Sequence, residues 1–269
     1  MRMVFSRAGM RQGWGGVVLL SLLVAGGCVA DPAPKMLTEG WQQLGANQPD
    51  RALVTAQNVL SEVPHTNRKA EALYLKGRAL EAMTTATPLD QRRNLDAAYE
   101  AYADALKRRP DKALSARIYA GMGNVCYWRD DYDGAWRHWA SAYELTQDHN
   151  TKGYVLYRIG LCQQRLNRFE QADATFHAVV EQYPGTDAAA RAREKIGARG
   201  FTVQVATFAS PDNAETAMNA LRREGFAPQR SANAKGQSVV TVAPFLDYRQ
   251  ARNARDRIAG MFPDALVIP

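Results

Sequence analysis

Between residues 36 and 196 apolar side chains recur at intervals of three and four, the spacing that gives a helix one buried stripe. Residues 154–166 (YVLYRIGLCQQRL) and 169–182 (FEQADATFHAVVEQ) show it most plainly. After Gly197-Ala198-Arg199-Gly200 the period changes to two. Residues 201–208 (FTVQVATF) and 238–242 (SVVTV) alternate as strands with one covered face do. Between them, Ser210-Pro211-Asp212 starts a helix that runs through Ala217 and Leu221 and stops at Gly225. A strand near residues 226–231, a turn at Lys235-Gly236, a helix over 248–261 and a strand over 265–268 complete the order βαββαβ. That order predicts a four-stranded antiparallel sheet with both helices on one face and the other face open.

The helical part repeats itself. A small residue, an Ala twelve positions on and a large apolar residue four further recur as Gly40, Ala52, Ala56; Gly123, Ala135, Trp139; and Gly160, Ala172, Phe176. A stretched copy has Gly77, Ala98 and Tyr102, with an insertion around residues 84–93 that reads as a longer loop. Pro64, Pro110 and Pro184 end three of the units. Gly40 to Gly77 and Gly123 to Gly160 are both 37 residues. Small residues let two antiparallel helices cross closely, and the large residue fills the gap beside them. Residues 33–184 thus resemble the tetratricopeptide repeat (TPR), with Tyr132-Asp133-Gly134-Ala135 and Phe169-Glu170-Gln171-Ala172 as second-helix openings. The resemblance implies an α-solenoid, capped by a solvating helix over 187–196. It also implies a concave side lined by first helices, on which Trp41, Tyr74, Arg78, Asn124, Tyr127, Tyr154 and Tyr157 are the expected groove residues. Aromatic residues and arginine dominate binding hot spots, so a protein or peptide partner is expected there; ordinary inter-repeat packing is the alternative.

The first 27 residues read as a signal peptide. Arg2, Arg7 and Arg11 precede an apolar run at 17–25 (VVLLSLLVA), too short to span a bilayer, and Gly26-Gly27-Cys28 follows. Small residues before a cysteine resemble the lipobox of bacterial lipoproteins, which implies diacylation at Cys28; an ordinary secretory signal is the alternative. No acidic residue follows Cys28 directly, which in that family points to the outer membrane, periplasmic face. Residues 28–35 are then a lipid-anchored linker, 36–197 the repeat domain and 201–269 the C-terminal domain. Removing residues 1–27 leaves 31 basic against 27 acidic residues, a net +4 from the full chain's +7. The charges are mixed along the chain without a basic stripe, so nucleic acid is not an expected partner. Cys126 and Cys162 fall on helices of adjacent units. A disulfide between them is conceivable, and two buried small apolar residues is the plainer reading.

Residues 203–208 (VQVATF), the helix over 214–221, residues 240–245 (VTVAPF) and the closing helix over 251–258 resemble the SPOR domain. That resemblance implies binding of peptidoglycan glycan strands stripped of stem peptides, at division sites. Strict alternation puts Val203, Val205, Val240 and Val242 toward the helices and Gln204, Ala206, Val239 and Thr241 outward. Gln204, whose amide donates and accepts, Thr207, Phe208 and Thr241 are the expected peptidoglycan-binding residues. Many family members carry Arg where Val239 or Thr241 stands, an aromatic near Ser238, and Gly where Ala243 stands. The same topology serves RNA-recognition domains, but the exposed strand aromatics those use are missing.

Among His65, His138, His149 and His177 none has metal-ligand spacing, and there is no phosphate loop or nucleophile elbow. No catalytic residue, metal or cofactor is therefore expected. The expectation is a non-catalytic cell-envelope lipoprotein that holds peptidoglycan through its C-terminal domain and a protein through its groove. The alternative is an assembly scaffold for the outer membrane or division machinery whose C-terminal sheet docks protein.

Overall fold

The computed structural model describes residues 31–63 and 65–269. The expected signal peptide, the expected lipidation site Cys28 and Pro64 lie outside the described residues. Eight helices pair into four antiparallel hairpins: α1 (Ala33–Gly45) with α2 (Pro49–Glu62), α3 (Lys69–Ala82) with α4 (Pro88–Lys107), α5 (Lys112–Trp128) with α6 (Tyr132–Leu145), and α7 (His149–Arg165) with α8 (Phe169–Gln182). Helix α1 starts at Ala33, inside the stretch read from the sequence as linker. A short α9 (Asp187–Arg193) follows and covers the last hairpin with Ala188, Ala189 and Ala192.

The small residues do what their spacing implies. A Cβ at Gly77 would fall 2.6 Å from Tyr102 Cδ1, one at Gly123 2.5 Å from Trp139 Nε1, and one at Gly160 2.5 Å from Phe176 Cε1. Each of these three hairpins closes around one fully buried ring. The tight turn inside three hairpins puts Asn47, Asp130 and Asn167 in the left-handed region, seven residues after Gly40, Gly123 and Gly160. Asn and Asp tolerate that conformation better than other side chains. The insertion at 84–93 is only partly a loop. Thr87 Oγ1 accepts from Asp90 N–H and Pro88 occupies the first turn, so the added residues lengthen α4 to twenty residues. Cys126 and Cys162 are free thiols inside one apolar cluster with Trp139 and Ile159, and burial pushes the Cys126 thiol up to about 11.

The C-terminal part runs β1 (Phe201–Phe208), α10 (Pro211–Arg223), β2 (Pro228–Ala232), β3 (Ser238–Phe245), α11 (Tyr248–Ile258) and β4 (Leu266–Ile268). The strands lie in the order β2-β3-β1-β4, all antiparallel. Val203, Val205, Val240 and Val242 meet Ala214, Leu221, Ala251 and Ile258 in a core between the sheet and both helices. No helix among the described residues is long and apolar enough to cross a membrane.

Candidate functional site: an open sheet face and an inner helix face

The sheet face away from α10 and α11 carries no packing layer. Register places Gln229, Thr241, Gln204 and Leu266 side by side across all four strands. Beside this row stand Ser231, Val239 and Thr207 on one side and Thr202 and Ile268 on the other. The surface is uncharged. Its two side-chain amides both donate and accept, its hydroxyls do the same, and Leu266 offers an apolar patch at 60% exposure.

Strict alternation would have turned Thr207 toward the helices. A bulge between Gln204 and Ala206 adds one residue to β1, so that Val203 pairs with Val242 but Thr207 pairs with Val239. Thr207 thereby emerges, exposed, on the open face, while Phe208 pairs with Ser238 and packs against the core. Of the four residues expected to bind sugar, Gln204, Thr207 and Thr241 share the open face. Phe208 does not, because the same bulge that exports Thr207 sends its neighbour inward. Gln229, Ser231 and Leu266 join them through register, a signal that only strand pairing carries.

The expected groove residues divide. Tyr74 is buried, its ring 5.4 Å from Trp41 and 5.8 Å from Tyr102, and Tyr157 is buried 5.8 Å from Phe176. Both are packing residues rather than reachable surface. Trp41, Arg78, Asn124 and Tyr127 are half-buried, and Tyr154 is exposed. Glu81 links several of them: it accepts from Asn124 Nδ2 at 3.1 Å and from Tyr102 Oη at 2.8 Å, with Arg78 Nε at 3.6 Å. On the other side, Arg158 donates to Tyr154 Oη at 2.8 Å, and its guanidinium lies 4.3 Å from the Trp139 ring and 4.9 Å from that of Tyr127. Glu81 and Arg158 were not among the sequence candidates. Arg158 follows Tyr154 by one helical turn, a spacing that would have revealed it.

The sheet domain rests on the solenoid through its helix side. Arg165, at the end of α7, stacks 3.6 Å from the Tyr248 ring and donates from Nε to Tyr127 Oη. Tyr132 meets Tyr248 edge-on at 5.6 Å, Phe169 packs 5.5 Å from Phe201, Asn167 donates to Asp247 at 2.9 Å, and Arg252 pairs with Asp130. The connecting residues are held as well: Asp173 accepts from Gly197 N–H and pairs with Arg199 at 2.6 Å. The contacts that cross to the sheet domain reach Phe201 of β1, the N-cap Asp247 and residues Tyr248 and Arg252 of α11. The row around Gln204 stays uncovered.

Family models match the chain in two places: a SPOR domain over residues 197–269 and a tetratricopeptide repeat over residues 154–186. None of the curated proteins matches the chain. Among solved structures, a thermophilic TPR protein of Thermus thermophilus is 16% identical with a TM-score of 0.42, covering 61% of this chain and 98% of its own. MamA of AMB-1 (17%, TM-score 0.43) and MamA of MSR-1 (17%, TM-score 0.42) also cover 61% of this chain, and 81% and 86% of their own. SPOR domains suggest peptidoglycan binding in the cell envelope and tetratricopeptide repeats suggest protein interaction, and this chain joins the two, a TPR solenoid ending in a SPOR domain.

Proposed function

We propose that the protein is a non-catalytic envelope tether that holds denuded peptidoglycan glycan on its open sheet face and a protein partner on its inner helices. The observation that carries this reading is the uncharged row Gln229–Thr241–Gln204–Leu266 on an unpacked face. Glycan without stem peptides offers hydroxyls, acetamides and the apolar faces of sugar rings. Amides and hydroxyls match the first two, and Leu266 suits the third. Lipidation at Cys28 would fix the chain to the inner leaflet of the outer membrane, and the solenoid would carry the sheet toward the wall at division sites.

The test is cosedimentation of the full chain with sacculi before and after an amidase removes stem peptides. Binding is expected to rise on denuded sacculi and to fall roughly five- to tenfold for Gln204→Ala, the loss of one or two neutral hydrogen bonds. Equal or absent binding to both preparations would sink the glycan reading. A scaffold whose sheet docks protein is the second reading. It is favoured by Val239 and Thr241 standing where an arginine would strengthen sugar hydrogen bonds, and by the apolar Leu266 and Ile268.

A further inference from the structure

One hairpin departs from the repeat spacing. Gly77 to Gly123 is 46 residues, against 37 for Gly40 to Gly77 and for Gly123 to Gly160, and the added residues fall around 84–93. They change the edge of the solenoid at that point. A tight turn joins the helices in the other three hairpins, whereas here the chain leaves α3 extended at Met83 and re-enters helix at Pro88. A recess of about 480 Å³ opens between this crossing and the end of α5. It is lined by Glu81, Ala82, Met83 and Thr84 where α3 ends, by Gln91 and Leu95 of the lengthened α4, and by Trp128, the last residue of α5. Its volume falls in the range of small-molecule sites, roughly 300–1,000 Å³.

Trp128 is 65% exposed, more than any other large apolar side chain among the described residues of the solenoid. Its ring meets Tyr127 edge-on at 6.2 Å. It stands five residues after Gly123, and the residue five after Gly160 is Arg165, which grips Tyr248 of the sheet domain. The same place in two neighbouring hairpins is therefore covered in one and open in the other. Polar groups rim the open indole. Gln91 Oε1 accepts from Thr85 Oγ1 at 3.2 Å, and among the described residues neither the Gln91 NH2 nor the Thr84 hydroxyl has a hydrogen-bond partner within the protein. Glu81 is the charged residue of the lining, and its charge is already answered: Asn124 and Tyr102 donate to it and Arg78 Nε lies at 3.6 Å. Next to Trp128, Arg129 pairs with Asp96 at 3.2 Å. A charged ligand finds no free counter-ion in this lining, while the Glu81 oxygens keep lone pairs for hydroxyl donors.

We propose that this recess binds a neutral N-acetylated sugar ring, stacked on Trp128, with its acetamide carbonyl on Gln91 Nε2 and its hydroxyls on Thr84 and Glu81. The C–H groups on one face of a pyranose carry slight positive charge and suit the negative face of an indole. The rim supplies the donors and acceptors that an acetamide and hydroxyls need. A carboxylated sugar is repelled by Glu81, and a purely aliphatic group would strand the Gln91 amide without a partner. The inference rests on the glycan reading for the source of the sugar, and it adds a second contact, on the solenoid, to the one on the sheet.

The test is fluorine NMR of the full chain labelled with fluorotryptophan, in which the Trp128 resonance is the one lost in Trp128→Phe. The probes are the trimer of N-acetylglucosamine and the unacetylated glucosamine trimer. A saturable shift of the Trp128 resonance is expected with the acetylated trimer and none with the other at the same concentration. Gln91→Ala should weaken the titration about fivefold, the loss of one neutral hydrogen bond, and Gln204→Ala should leave it unchanged. Gln91 lies outside the buried core, and circular dichroism checks that its variant keeps the fold. A silent Trp128 resonance, an equal response to the glucosamine trimer, or parental affinity in Gln91→Ala would overturn the proposal. Cosedimentation with sacculi reads the sheet face separately. Loss of sacculus binding in Gln204→Ala beside a silent Trp128 overturns this site and keeps the sheet reading, and the reverse pattern keeps this site and overturns the sheet reading.

Discussion

Replacing Gly123 by alanine puts a methyl carbon 2.5 Å from Trp139 Nε1 and 2.6 Å from its Cδ1. Trp139 is 1% exposed and donates to the Ala120 carbonyl at 3.2 Å, so the ring has no free side to move into and shifting it strains or breaks that bond. Forcing an extra methyl into such a core costs about 2 kcal/mol, the lost hydrogen bond about 1, and the helix preference for Ala over Gly returns about 1, a net loss of about 2 kcal/mol. In thermal unfolding of a chain this size, that is a fall of about 4–8 °C. The internal control is Gly45→Ala, because a Cβ there meets nothing within 4 Å and α1 is otherwise ordinary. Melting followed by far-ultraviolet circular dichroism compares the two variants with the parent. If Gly123→Ala melts with or above the parent, the close approach of α5 to Trp139 is not what the small residue is for, and the repeat argument fails.

Two other expectations concern the seat of the sheet domain. Tyr248→Ala removes the ring that Arg165, Tyr132 and Phe201 share; the domain should loosen from the solenoid, seen as a larger radius of gyration in X-ray scattering and faster trypsin cleavage after Arg199. An unchanged cleavage rate would count against the interface. The Asn167 amide, aided by the N–H groups of Arg249 and Gln250, holds the Asp247 carboxyl below the usual carboxylate range. A depressed native value means the contact contributes fully above the unfolded value of about 4 and is lost as pH falls through the lower native one. Asn167→Ala should move the Asp247 carboxyl back up in a carbon-detected NMR titration, and no movement would assign the shift to the cap alone.

The periodicities and the spacing of small and large residues were enough to place four helical hairpins, the βαββαβ order and the face that holds the core, because those patterns answer to local geometry. One residue of a helix or strand tells where the next few point. That logic held for Gln204 and Thr241 and broke at Thr207 and Phe208. A bulge is set by how β1 pairs with β3, so alternation along one strand cannot announce it. The partition of the groove had the same origin. Tyr74 and Tyr157 occupy first-helix positions like Tyr154, yet packing from Tyr102 and Phe176 in neighbouring helices buries the first two and leaves the third exposed. The grip of Arg165 and Tyr132 on Tyr248 joins residues tens of positions apart. Only the tertiary structure decides such contacts, since they depend on which surfaces remain once each element has satisfied its own pattern.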